Sequence, residues 1–139
     1  MALEKTFAII KPDAVNRHLI GAILSRIEQA GFRVAASKML NLTRTQAEGF
    51  YAEHQVKAFF PDLVDYMISA PVVVLVLEKE NAVKDYRALI GKTDPTEANP
   101  GTIRHDFALN YRQNAVHGSD CIESAQREIA YFFVESEIF

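Results

Sequence analysis

Six consecutive apolar residues, Val72, Val73, Val74, Leu75, Val76 and Leu77, follow Ala70 and Pro71. A run of this length, rich in β-branched residues and introduced by a proline, reads as a central strand buried in a sheet. A strand with no polar face cannot turn one side to water, so other parts of the chain must cover it. The stretch 70–77 is also the longest apolar run present. It is strand-sized and far below transmembrane length.

The remaining segments supply the cover. Residues 6–10 are a second strand-like run, and Pro12 stops its ladder because proline has no amide hydrogen. Ile20, Ile23, Leu24 and Ile27 have helical spacing, with Gly31 as the stop. Residues 32–42 form a third strand candidate whose alternation is imperfect. Thr43 and Gln46 make a capping box, and Ala47, Phe50, Tyr51 and His54 form one face of the helix that follows. Phe60, Leu63, Val64, Met67 and Ile68 mark another amphipathic helix, with Phe59 at its entrance. Val83, Tyr86 and Ile90 mark a further one, ending at Gly91. Strands joined by helical crossovers predict an α+β sandwich, with helices on the faces of one small sheet.

The 139 residues fit one domain, spanning 1–139, with no repeat, linker or low-complexity tract. A net charge of −3 argues against bulk nucleic-acid binding, which favours a basic face. A local basic cluster would instead suit a small anionic ligand. The single cysteine, Cys121, rules out an internal disulfide framework. No N-terminal segment has the pattern of a secretory signal, so the chain is expected to be soluble and cytoplasmic, away from membranes.

Residues 92–113 show no sustained pattern, and Asp94-Pro95 and Asn99-Pro100-Gly101 are turn chemistry. A connection this long in a compact domain is usually functional. It delivers the chain to Asn114-Ala115-Val116-His117-Gly118-Ser119-Asp120, and a helical segment follows over 122–133, burying Ile122, Ala125, Ile129 and Phe132 or Phe133. Ser119 or Asp120 is the natural N-cap of that helix, with Asp120 and Glu123 forming an imperfect capping box. His117 would then stand just before a helix N-terminus, where a phosphoryl group on the imidazole finds its charge partly stabilised. Taken alone, the histidine is equally a surface or core residue.

The stretch from Asn114 to Asp120 resembles the active-site signature of the nucleoside diphosphate kinases. So do Thr6-Phe7-Ala8-Ile9-Ile10-Lys11-Pro12-Asp13, Phe59-Phe60, Ala70-Pro71-Val72-Val73, Gly101-Thr102-Ile103-Arg104 and Glu123-Ser124-Ala125, all in the family's order and spacing. The resemblance runs from near Leu3 to near Ile138. It implies the ferredoxin-like βαββαβ fold with a four-stranded antiparallel sheet, whose short fourth strand, near Val116, comes from the resemblance.

The resemblance further implies ping-pong transfer of the γ-phosphate from a nucleoside triphosphate such as ATP to a diphosphate, maintaining triphosphate pools. His117 is the phosphate carrier, and Glu128 orients its ring. Lys11, Arg87 and Arg104 match phosphate-binding cations, Thr93 a hydroxyl donor to phosphate, and Ser119 and Tyr51 residues of the catalytic site. Phe59 matches the aromatic that stacks on the base, and Asn114 and Lys11 match contacts to ribose. Mg²⁺ would arrive with the nucleotide, with no metal site built by the protein. A homo-oligomer is implied, and the short C-terminus favours a tetramer over a hexamer.

Several of these residues also have a plainer reading from sequence. Lys11 and Glu128 read as solvated charges, the arginines as surface ion pairs, and Tyr51 as core. Three positions depart from the family pattern: Ala58 stands for a usual proline, Tyr111 for Val or Leu beside the base, and Cys121 for a small residue at an oxidation-sensitive rim. Two other classes compete with the kinase reading: a ferredoxin-like binding module, and a phosphorelay protein in which His117 serves a partner. No Walker P-loop is present.

Overall fold

The computed structural model describes residues 3–139, so the first two positions of the expected 1–139 domain lie outside the described residues. Four strands form one sheet: β1 (Glu4–Ile10), β2 (Arg33–Leu40), β3 (Val72–Lys79) and β4 (Val116–Gly118). Their order is β2-β3-β1-β4, and all three pairings are antiparallel. This is the predicted ferredoxin-like arrangement.

β3 sits where its composition demands. Val72, Val74 and Val76 enter one core, with Phe7, Phe50, Val64, Met67 and Phe132. Val73, Leu75 and Leu77 enter the other, with Ile23, Ile27, Tyr86, Ile90 and Ile103. All six are 6% exposed or less, and burial of such side chains stabilises by about 1.5–3 kcal/mol each. Helices α3 (Arg44–Phe50), α4 (Phe60–Met67) and α7 (Ile122–Phe132) cover the first face. Helices α1 (Pro12–Asn16), α2 (Ile20–Gln29), α5 (Ala82–Ile90) and α6 (Ile103–Phe107) cover the second.

β2 explains its own imperfect pattern. Val34 pairs with Leu77 but Ala36 pairs with Val76, so Ala35 is an extra residue in a β-bulge. The Thr43–Gln46 capping box forms as expected, with both reciprocal hydrogen bonds present. α3 ends at Phe50, and His54 falls in a separate 3₁₀ turn, Ala52–His54, not on the same helix face. Two short helices went unread. Pro12 both stops β1 and occupies the first turn of α1, and Thr102 caps α6 inside the patternless stretch 92–113.

The N-terminus of α7 corrects the expected cap. Cys121 occupies the N-cap position, with no side-chain cap hydrogen bond. Ser119 turns inward to Glu128 and Asp120 turns outward to Arg87, so neither oxygen is spent on the helix. Ile122 is 50% exposed, not buried, because the inner face of α7 runs through Ala125, Glu128 and Phe132.

Candidate active site

His117 is the middle residue of β4, opposite Ile9 of β1. It is thus held by a sheet edge and not by a helix N-terminus. Its imidazole rests on aromatic rings, with centroids at 5.3 Å for Phe50, 6.1 Å for Phe7 and 6.5 Å for Tyr51. His117 Nε2 lies 2.8 Å from Glu128 Oε1, and Ser119 Oγ donates to the same oxygen at 2.8 Å. The helical turn between Ser119 and Glu128 brings the glutamate back, as the spacing predicts.

Glu128 is 4% exposed. Burial pushes its carboxyl upward, but the hydrogen bonds from His117 and Ser119 and nearby positive charge outweigh this and hold it below the usual range. It is therefore a carboxylate. Burial also lowers the pKa of His117, helped by the Lys11 and Arg104 charges and opposed by Glu128. The imidazole is neutral, carries its proton on Nε2 towards Glu128, and keeps its lone pair on Nδ1.

The turn entering β4 is strained. Ala115 has φ 72°, and the Val116 amide donates to the Asn114 carbonyl at 2.8 Å, which is a three-residue turn of the rarer, left-handed form. The Ala115 carbonyl accepts from the Lys11 amide at 2.8 Å. Asn114 Oδ1 accepts from Lys11 Nζ at 2.9 Å, and Asn114 Nδ2 donates to the Tyr111 carbonyl at 2.9 Å. Lys11 is buried beside Arg104, and burial first, then that like charge, brings its pKa down to about 7.

Arg104 is also buried, which lowers its pKa to about 10. Its Nη1 donates to the Gly91 carbonyl at 3.0 Å and its Nη2 to the Val116 carbonyl at 2.9 Å. Arg104 therefore joins the end of α5 to β4 as well as supplying charge. Arg87 is more exposed and pairs with Asp120 at 2.8 Å. Gly118 lets β4 approach α5, because a Cβ there would stand 2.9 Å from the Tyr86 ring.

Two cavities with shared walls open on these groups. One of about 190 Å³ is lined by His117, Lys11, Arg87, Thr93, Arg104 and Glu128, together with Tyr51 and Asn114. The other, of about 280 Å³, is lined by Phe59 and Tyr111 and shares Lys11, Tyr51 and Asn114 with the first. All the sequence-predicted site residues except Ser119 line one or both, and Ser119 is reached through Glu128. The Tyr51 hydroxyl is buried without a hydrogen-bond partner. Such a hydroxyl at a cavity wall is a donor ready for a ligand. Burial raises its pKa, so it stays protonated.

Sequence reasoning missed several lining residues, Glu53 of the smaller cavity among them. His54 borders both cavities, Arg112 and Lys57 border the larger one. The local signal was slight, since over 51–59 Lys57 is balanced by Glu53, and over 104–112 Arg104 and Arg112 stand against Asp106. Cys121 is exposed, and its Sγ lies 3.3 Å from Ser124 Oγ. Among the described residues no group of three or more His, Cys, Asp or Glu side chains gathers that could hold a metal ion.

The model of the family described as nucleoside diphosphate kinase matches residues 4–138. The chain is 76% identical over its full length to a nucleoside diphosphate kinase of Pasteurella multocida, also covering all of that protein. It is 66% identical to one of Histophilus somni, covering 100% of this chain and 99% of that one. Among solved structures, the nucleoside diphosphate kinase of Aquifex aeolicus superposes with a TM-score of 0.97 at 45% identity, covering 99% of this chain and 100% of that one. The enzyme of Halobacterium salinarum in complex with CDP gives 0.96 at 40% identity, over 99% and 92% of the two chains.

Proposed function

This chain belongs to the nucleoside diphosphate kinase family and transfers phosphate between nucleotides, and we propose that it does so through His117 as the carrier. The observation that carries the residue assignment is the Ser119–Glu128–His117 chain, which leaves Nδ1 as the nucleophilic nitrogen beside a cavity walled by cations. In the first half-reaction Nδ1 attacks the γ-phosphorus of a triphosphate such as ATP. The N–P bond forms, the bond to the bridging oxygen breaks, and the diphosphate leaves. In the second half a different diphosphate attacks with a terminal phosphate oxygen and the steps reverse. Glu128 stabilises the imidazolium character that Nε2 acquires as Nδ1 bonds phosphorus.

Lys11, Arg87, Arg104 and Thr93 meet the phosphates. The Arg87–Asp120 pair is exposed and weak, worth about 0–1 kcal/mol, so an incoming phosphate displaces Asp120 easily. Tyr51 donates from its unpartnered hydroxyl. Phe59, 39% exposed at the mouth of the larger cavity, is the platform for the base, and Asn114 with Lys11 meets the ribose. That the Halobacterium relative forms a complex with CDP supports the reading of this protein as nucleotide-binding.

The family generally uses a divalent metal. Here Mg²⁺ is read as part of the nucleotide substrate, held by phosphates and water. The reading extends to one domain over 1–139, a homo-oligomer with a tetramer favoured, and a cytoplasmic location, which a single free cysteine suits. Steady-state rates test the mechanism. Varying ATP at several fixed diphosphate concentrations should give parallel double-reciprocal lines. Intersecting lines, which require both nucleotides bound at once, would contradict it.

A further inference from the structure

The larger cavity has an unusual electrostatic rim. Its charged lining groups are Lys11, Lys57 and Arg112, with no carboxylate among them. The Arg112 guanidinium lies 5.4 Å from the centre of the Phe59 ring, and Arg112 Nη1 approaches the Phe59 carbonyl at 3.4 Å. Lys57 Nζ lies 5.6 Å from the same ring. The aromatic surface read above as the base platform is thus bordered by two side chains that can only donate hydrogen bonds.

Arg112 is presented by an ordered turn. Asn110 Oδ1 accepts from the Arg112 amide at 3.0 Å and from the Gln113 amide at 2.8 Å. The Leu109 amide donates to the Gln113 carbonyl at 2.9 Å, closing the loop on itself. Asn114 then ties the Tyr111 carbonyl to the Lys11 side of the site. The guanidinium therefore projects from a loop that is fixed at both ends.

Stacking alone accepts any base, because every base has a π-face. A donor-only rim does not. Guanine presents two adjacent acceptors, O6 and N7, and uracil presents O4, whereas adenine sets one acceptor, N7, beside the N6 donor and cytosine presents the N4 donor. An arginine can bind O6 and N7 of guanine with both arms of its fork. Resting on the nucleotide reading of this site, we propose that Arg112 is a specificity-determining residue that favours nucleotides with keto bases, guanine above all, over those with amino bases.

The test separates this proposal from the phosphohistidine reading. The wild-type protein is phosphorylated with ATP and Mg²⁺, freed of nucleotide, and discharged with limiting GDP, IDP, ADP, UDP or CDP. The second-order discharge rate for GDP should exceed that for ADP by at least about 5-fold, the lower end for one bidentate contact at a partly exposed site. IDP, which keeps O6 and N7 but lacks the 2-amino group, should follow GDP, and UDP should exceed CDP. Arg112→Met should bring the GDP:ADP ratio below about 2-fold, and Arg112→Glu, which replaces donors by acceptors, should push it below one. Equal wild-type rates for GDP and ADP, or an unchanged ratio in both variants, would overturn the proposal and leave the phosphohistidine intact. Failure of ATP to phosphorylate the wild-type protein would remove both readings together.

Discussion

In the proposed mechanism Glu128 decides which nitrogen of His117 attacks. A buried carboxylate accepting at 2.8 Å keeps the proton on Nε2, and its replacement by an amide removes the charge without removing the shape. Glu128→Gln should slow phosphorylation of the enzyme by roughly 10- to 100-fold, the range expected for a lost hydrogen bond to a charged group. The pH profile should move as well. Glu128 raises the pKa of His117 against burial, so its neutralisation lets that pKa fall further. The acid limb of the rate profile should shift to lower pH in the variant, read by single-turnover phosphorylation. An acid limb that stays in place would mean that Glu128 does not sense the imidazole proton. Here the sequence was informative about identity and silent about state. The spacing brought Glu128 back to the site, but that Lys11 is buried against Asn114 depends on a strained turn at Ala115. Alanine gives no local signal for a positive φ, so that turn could not be read.

Whole elements were legible where one pattern governs them. β3 declared itself because both its faces are buried, and α3 because its capping box is local in sequence. α1 and α6, five residues each, are too short to show a helical period. The cap of α7 was misread because Ser119 and Asp120 have stronger partners in space, Glu128 and Arg87, than the helix they precede. The contact between β4 and α5 is a tertiary constraint of the same kind. Tyr86 is fully buried, and a Cβ on residue 118 would meet its ring at 2.9 Å and Ile90 at 3.1 Å. Gly118→Ala should destabilise the fold by about 1–3 kcal/mol through overpacking, seen as a lower Tm. Combining it with Tyr86→Leu should be less harmful than the sum of the two single changes, because the smaller side chain makes room. Strict additivity would show that the clash does not set the spacing.

At the scale of the molecule, the site is built at the expense of stability. Folding buries three basic groups, Lys11, Arg104 and His117, that are charged more readily in the unfolded chain. Lys11 falls from 10.5 to about 7, so between those values the unfolded state binds more protons and stability rises with pH. His117 is also lowered, and adds a rise of the same sign at pH values below its ordinary range. Thermal melts of wild type and Lys11→Met should therefore differ in slope above about pH 7, with the wild-type Tm gaining relative to the variant as pH increases. Parallel melting curves would contradict a depressed Lys11. The two-layer cover of the sheet was evident from the apolar runs. The meeting of Lys11, Arg104 and His117 was not, because residues far apart in the chain converge through β1, β4 and α6.

The most direct test of the account is the intact mass of the protein after brief incubation with ATP and Mg²⁺, beside His117→Ala. The wild-type chain should gain one acid-labile phosphoryl group that an added diphosphate removes, and the variant should gain none. An unphosphorylated wild type, or equal phosphorylation of His117→Ala, would show that His117 is not the carrier.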